Sequence, residues 1–557
     1  MESGRDCYLK LFRYYHTLKN LKPVQIYGRV LFALKRKFRR VVNNKRVAAL
    51  AEGLKETLKV KTDEKIKFCF LNKDITFKLS NINWTSADIG NDIEKLWVYN
   101  LNYFNWLISD KYGTLSNEQA CFLVLDWISQ NTDELSEPWE PYPLSKRLTA
   151  WTKWLDGGKI PQDIASAMKS SIILQLKRLY LDLEYHNQAN HLLENLRGFV
   201  AGCRYIIINA HNLFTNELEY QLENVLDELI TQISMQFLND GAHYERSPMY
   251  HCEMLEAIED ISSNVSILKK QLFLLPSILE KLGRLEQTCS KLLPKMDNWL
   301  ELMTMPDGEV AQFNDCERVF GIEHTFNEHT ELLSSSGFFV RHKDNNSFIM
   351  SCGEPSPSYQ PGHTHCDIFS YELAVNGNRI IIDTGCGSYQ NKNIRQLCRE
   401  TEAHNLPLIQ HQEQSDIWES FRIGKRAKIT KRTYDKDNKA LEVIIEDQYS
   451  QELERQVVFS TNKVKIYDTL LKRTMTGCFI SLIHLAPGIK IESQFKDKDK
   501  NLIECVLPKG QKFSIITEAN VRISDYISFP EFGKSISAKM LTLSNKESET
   551  IDYAIKW

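Results

Sequence analysis

No run of about eighteen apolar residues occurs in this 557-residue chain, so no membrane-spanning helix is expected. The opening stretch, MESGRDCYLKLFRYYH, lacks the apolar core and small-residue cleavage site of a signal peptide. The thirteen cysteines form no CxxC pair, which argues against a disulfide scaffold and fits a reducing compartment. A cytoplasmic location is therefore expected. A periplasmic one stays open, since a mature secreted protein would look the same. Net charge is nearly absent as well, at -3 from 69 Lys+Arg and 72 Asp+Glu, so no nucleic-acid partner is expected. A homodimer is compatible with the sequence.

What is present is a folded composition, 42% hydrophobic and 25% charged, and a length that calls for two or three domains. Residues 1–60 stand apart, with 15 Lys/Arg against 4 Asp/Glu and a cluster at LKRKFRR, Leu34 to Arg40. The plain reading is a solvated basic helical segment. The sharper readings are contact with an anionic saccharide or an acidic membrane surface.

Residues 61–330 read as helical. Ser170 to His186 and Glu217 to Leu238 repeat apolar residues at three- and four-residue spacing. Gly and Pro are sparse and mark breaks, at Glu137 to Pro143 and Pro306 to Gly308. Two aromatic stretches, WVYNLNYFNWL and WEPYPLSKRLTAWTKWL, suit a core, and their Trp, Tyr and Asn also suit stacking on sugar rings. Near residue 335 the pattern changes to short alternating runs, with Asn376-Gly377 as a hairpin turn. The boundary is placed within Glu323 to Ser335, and residues 331–557 read as a β-sandwich.

Four polar clusters could carry chemistry. In NQANHLLENL, a helix would bring Asn190, His191 and Glu194 within one turn, with His191 and Glu194 as a touching i, i+3 pair. DGAHYERSPMYH, Asp240 to His251, packs two Tyr, two His, Glu and Arg beside a Gly and a Pro. PDGEVAQFND, Pro306 to Asp315, is a weaker cluster. The fourth is GHTHCD, Gly362 to Asp367, with Asp383 and His404 further on. In a strand, His363, His365 and Asp367 would share one face, and His, His and Asp are credible zinc ligands. A regular Asn376-Gly377 hairpin sets Asp383 opposite Ser370, which has the wrong parity for His365. A bulge, another loop length or a break after Asp367 is then required.

In this order, NHLLENL, DGAHYERSPMYH, FND, GHTHCDIFSYELAVNGNRIIIDTG and AHN resemble the heparinase II/III family of polysaccharide lyases. The resemblance covers most of the chain. It implies an α+β multidomain fold, an N-terminal incomplete (α/α) toroid followed by a C-terminal antiparallel β-sandwich. It also implies β-elimination on a uronate-containing, anionic polysaccharide. In that chemistry the uronate carboxylate is neutralised, a base removes the C5 proton, and an acid protonates the leaving oxygen. By the resemblance, Asn190 and His191 grip the carboxylate, with Glu194 orienting His191. Tyr250 is the acid and can also serve as base, Tyr244 is its alternative, and His363 is the histidine of the sandwich domain. His365, Asp383 and His404 are implied zinc ligands, mainly structural, with Asp367 in support. Arg246 and Arg147 are weaker candidates for binding an anionic sugar.

The chain departs from the pattern after AHN, where HNLPLIQHQ carries a proline in place of a β-branched run. Its basic first segment is similar to that of members found with bacterial surface-polysaccharide genes, so heparin itself is not implied. Two rivals stay open. One is a non-catalytic polysaccharide-binding or assembly protein. The other is a glycoside hydrolase on a similar toroid that uses carboxylates such as Glu194, Glu245 and Asp315.

Overall fold

Apolar periodicity in the first three hundred residues is realised as helices. A computed structural model describes residues 2–37, 44–89, 93–109, 115–321, 328–497, 500–545 and 548–557. Phe38 to Arg40 of the basic cluster and Glu323 to Asn327 of the expected boundary lie outside the described residues. Among the described residues, twelve α-helices lie between Glu2 and Met303. The two periodic segments fall in the helices Gln162–Leu181 and Asn216–Gln236. The first ends short of His186 because the chain turns there: the Glu184 carbonyl accepts from the amides of Asn187 and Gln188, both at 2.9 Å. The prolines of WEPYP open a helix rather than break one. Pro141 starts Pro141–Asp156, where a missing N–H costs nothing.

The aromatic stretches are mostly core, since Trp97, Trp106, Trp127, Trp139 and Trp151 are buried. One departure from the helical reading is a hairpin, Lys65–Phe70 paired with Lys73–Lys78. Ile66, Phe68 and Phe70 point inward at a period of two. Its turn residues, Leu71 and Asn72, have φ of 53° and 55° without a glycine. The usual compositional mark of a hairpin is therefore missing.

From His329 onward the strands are antiparallel. Five of them, His329–Leu333, Phe338–Lys343, Asn346–Ser351, Tyr371–Val375 and Asn378–Ile381, form one sheet in sequence order. Eight-stranded and four-stranded sheets complete the sandwich. In Ala440–Glu446, Glu452–Ser460 and Lys463–Lys472, alternate residues such as Leu441, Val443, Val457 and Ile466 enter the core while their neighbours stay partly wet. The five-stranded sheet is buried on both faces. Phe339 and Phe348 join the sandwich core, whereas Phe338, Val340 and Ile349 pack with Trp299, Met303 and Phe313. The architecture is α+β, helices first and antiparallel sandwich second.

The chain gathers into two compact units. The first comprises Met1–Leu21, Phe237–Glu253 and Pro294–Trp557, and the second Lys22–Gln236 and Met254–Leu293. Asn190, His191 and Glu194 belong to the second. Tyr244, Arg246, Tyr250, His363, His365, Asp383 and His404 belong to the first.

Candidate functional site

Gly362–Asp367 is not a strand, which corrects the expectation that its alternation puts three side chains on one face. Its backbone groups are claimed one at a time. The His363 carbonyl accepts from the Asp315 amide at 3.0 Å, His365 N donates to Asn314 Oδ1 at 3.1 Å, and Cys366 N to the Arg399 carbonyl at 2.9 Å. The two histidines converge instead on Asp315. His363 Nδ1 lies 2.7 Å from Asp315 Oδ2, and His365 Nε2 lies 2.7 Å from Oδ1. Arg395 engages the same carboxylate twice, with Nη2 at 2.9 Å from Oδ2 and Nη1 on Oδ1. Asp315 is fully buried. Burial pushes its carboxyl up, but Arg395 and the two imidazoles outweigh that and hold it well below the ordinary carboxylate range. It is an anion that fixes both rings. The FND motif presents it through Asn314, whose left-handed φ of 59° suits an asparagine.

SPMY places the tyrosine. Pro248 opens the helix Pro248–Leu268, and Ser247 Oγ accepts from Tyr250 N at 3.3 Å. The same hydroxyl donates to the Asp315 carbonyl at 2.5 Å, tying that helix start to FND. The Tyr250 ring packs on His363 at 4.1 Å between centroids, and its hydroxyl is 2.8 Å from that of Tyr389. Burial, with Glu253 and Asp315 nearby, keeps the Tyr250 phenol well above its ordinary pKa, so it carries its proton. Tyr244 packs on His243 at 4.9 Å and on Tyr359 at 6.0 Å. Of the two candidate tyrosines, Tyr250 is thus the one seated on His363.

The expected metal ligands gather beside this cluster. His404 Nδ1 is 2.8 Å from Asp383 Oδ2, which also accepts from Ser370 Oγ at 2.8 Å. The His365 and His404 rings are 5.4 Å apart. A bulge resolves the parity problem: Val375 pairs Asn378 and Ala374 pairs Arg379, but Leu373 pairs Ile381. His365 Nδ1 and His404 Nε2 are both buried without a hydrogen-bond partner among the described residues. Buried imidazole nitrogens of this kind suit a cation. A second buried group, Asp315, His365 and Cys386, has donor atoms within 4.8 Å of one another and could also hold a metal. There, however, Arg395 already neutralises the carboxylate, and burial pushes the Cys386 thiol well above its ordinary range. Asp367 is buried, its Oδ2 without a partner among the described residues, and burial raises its carboxyl to about 7 against the pull of His404. Asn405 of AHN clips this region together, donating to the carbonyls of Tyr371 at 2.9 Å and Ile382 at 2.7 Å.

Of the two arginines weighed as sugar ligands, Arg147 is placed otherwise. Arg246 is held against Gly353, with Nη1 on the Glu354 carbonyl, and burial lowers its guanidinium to about 10. Arg147 is wholly buried over Trp127, bonding Gln175 at 2.9 Å and the Pro138 carbonyl at 2.9 Å. It is a core residue, with Nε and Nη1 bonded inside the helical unit and no face open to solvent.

In the second unit, the helix Ala189–Asn209 is entered through two positive-φ residues, Gln188 before it at φ 60° and its first residue Ala189 at φ 52°. Gln236 Nε2 holds this entry through the Ala189 carbonyl at 3.0 Å. Asn190 is buried in the first turn. The carboxylate that orients His191 is Glu184, 3.1 Å from Nδ1, rather than Glu194. Glu194 is drawn inward to Lys146 at 3.0 Å and Arg197 at 2.9 Å. Burial raises the Glu184 carboxyl, but His191, Asn195 and Asn187 bring it below its ordinary value. The Tyr142 ring lies 4.5 Å from that of His191. A cavity of about 250 Å³ opens here, lined in part by Tyr99, Trp139, Glu184, Asn187 and His191.

Arg395, Tyr389 and Glu184 carry no motif or spacing that marks them in the sequence, and Asp315, a candidate carboxylate there, holds the two histidines instead. Glu184 lies seven residues before His191, across a turn, and no periodic spacing connects them.

Two family descriptions match, heparinase II/III N-terminus over residues 5–336 and heparinase II/III-like C-terminal over residues 327–556. The chain belongs to the heparinase II/III family. Its class is that of the polysaccharide lyases. A solved structure of heparinase III is similar with a TM-score of 0.66 at 16% identity, over 93% of this chain and 85% of that one. Heparan sulfate lyase HepC from Pedobacter heparinus is similar with a TM-score of 0.56 at 14% identity, over 93% and 83%. This likeness makes the fold an incomplete (α/α) toroid followed by an antiparallel β-sandwich. No curated protein matches the chain in sequence. No helix among the described residues is long and apolar enough to cross a membrane.

Proposed function

We propose that this family member cleaves a uronate-containing, anionic polysaccharide, of the glycosaminoglycan kind or a bacterial surface glycan, by β-elimination. The observation that carries the reading is His363, oriented by anionic Asp315 and packed against a proton-bearing Tyr250. With Nδ1–H given to Asp315, the Nε2 lone pair of His363 is set to take the C5 proton of a uronate. Tyr250, kept protonated by burial, is set to donate to the departing glycosidic oxygen. Electrons from the C5–H bond form the C4–C5 double bond as the C4–O bond breaks. Asn190 and His191 keep the role of neutralising the uronate carboxylate, whose charge spreads in the transition state.

Asp315 is saturated by Arg395 and two histidines, which leaves it no proton to give as a hydrolase acid. That speaks against two-carboxylate hydrolysis. Zinc is the cation this reading would place on His365, Asp383 and His404. Bound there, it would supply charge to Asp383 and tie the loop Gly362–Asp367 to the end of its strand.

The test is ultraviolet absorbance of unsaturated uronate, with purified protein and a panel of uronate polysaccharides. A rise with wild type that disappears in Tyr250→Phe, with substrate binding retained, supports the reading. No rise on any substrate from a folded, zinc-loaded protein favours a binding or assembly role.

A further inference from the structure

The helix Pro23–Lys37 carries two features that the lyase chemistry does not use. Its sequence, PVQIYGRVLFALKRK, has four cations and no acidic residue. Its inner side rests on its own unit: Gln25 is buried, Gly28 approaches His186, and Phe32 packs on that ring at 4.4 Å. The opposite side is apolar and open. Ile26, Tyr27, Val30, Leu31 and Leu34 are each between 47 and 57% exposed. Positions 26, 30 and 34 form one row at four-residue spacing, and 27 and 31 form the row beside it. Arg29 and Lys35 fall at the two margins of this stripe by the 3.6-residue period. Lys35 also reaches the Leu181 carbonyl at 3.1 Å, which pins the helix with its apolar side outward.

We propose that this helix lies in the plane of an anionic lipid surface, with the apolar stripe among the acyl chains and the basic margins at the headgroups. An open apolar stripe bordered by cations is the pattern such helices present, and long basic side chains at its edges can reach charged headgroups while their stems stay apolar. A second copy of the chain is the poorer occupant, because it would bring two all-cationic helices face to face. A soluble polyanion would satisfy the cations and leave five apolar side chains in water. A surface of anionic lipid takes both.

The inference does not rest on the lyase reading. Its test is flotation of the full chain with vesicles of phosphatidylglycerol and phosphatidylcholine in equal parts, against vesicles of phosphatidylcholine alone. Binding to the anionic vesicles at least about tenfold tighter than to neutral ones is expected, weakened by salt. Ile26→Glu and Val30→Glu should each lose that binding about tenfold while melting and any lyase activity stay unchanged. Absence of vesicle binding, equal binding to neutral vesicles, or Val30→Glu binding like wild type would overturn the proposal. So would a lipid-free dimer that Val30→Glu dissociates.

Discussion

Asp315→Asn is the substitution that tests the architecture of the site most directly. Four N–H groups converge on the carboxylate: Nη1 and Nη2 of Arg395, Nδ1 of His363 and Nε2 of His365. An asparagine amide keeps one oxygen with two lone pairs and turns an NH2 toward nitrogens that must donate. At least two of the four bonds are lost, and Arg395 keeps a buried charge with no counter-ion. Removing one partner of a buried pair costs about 3–5 kcal/mol. Any ring that meets the new NH2 must present a lone pair. If that ring is His363, its proton moves to Nε2, where the base needs to be empty. Losing one acid–base group lowers turnover by about 10²–10⁴-fold. The expected result is a lower melting temperature together with turnover reduced by that factor, measured as uronate absorbance at a temperature where the variant is folded. KM should change little, because the carboxylate is buried and out of reach of substrate. Asp315→Glu retains the charge and should recover part of the stability. A variant with near-normal turnover and unchanged melting would sink the assignment of Asp315 as the residue that sets the His363 tautomer.

Other outcomes follow from the same geometry. His404→Ala and His365→Ala should each remove bound zinc, read by elemental analysis, and lower the melting temperature; unchanged metal content would count against that ligand set. Asn190→Ala should reduce turnover more than stability, since its part grows in the transition state. Equal losses would make it a structural residue of the helix entry. His251 is buried, with Nδ1 accepting from His243 N at 3.2 Å and Nε2 donating to the Met296 carbonyl at 3.0 Å. Burial lowers its pKa to about 4. The unfolded chain takes up that proton near pH 6.5, so this contribution is fully present above about pH 6.5 and lost as pH falls toward 4, by up to about 3 kcal/mol. Melting followed across that range should show the slope, to which buried His365 and His484 also contribute, and His251→Gln should make it shallower.

Sequence periodicity could be read wherever one period was at work. The helices around Ser170 and Glu217 and the strands Ala440–Glu446 to Lys463–Lys472 each bury one face, and alternation or three-to-four spacing records that face directly. The hairpin Lys65–Phe70 with Lys73–Lys78 also alternates, yet its glycine-free turn hid it inside a helical region. GHTHCD failed for the opposite reason. Its alternation is real in the sequence but has no ladder beside it. What aligns His363 with His365 is one carboxylate, Asp315, about fifty residues away, held by Arg395 eighty residues beyond that. Spacing reports local geometry, whereas a buried anion collects donors from anywhere in the chain. Glu184 and Glu194 show the same limit at short range. The helix period allows His191 to touch Glu194, but Lys146 and Arg197 offer that carboxylate two cations, and His191 turns to the acid that remains on its side, Glu184. Where several charged residues compete, the partner that wins is set by which groups are buried together. Those groups are the cluster around Asp315 in the first unit and the one around Glu184 in the second.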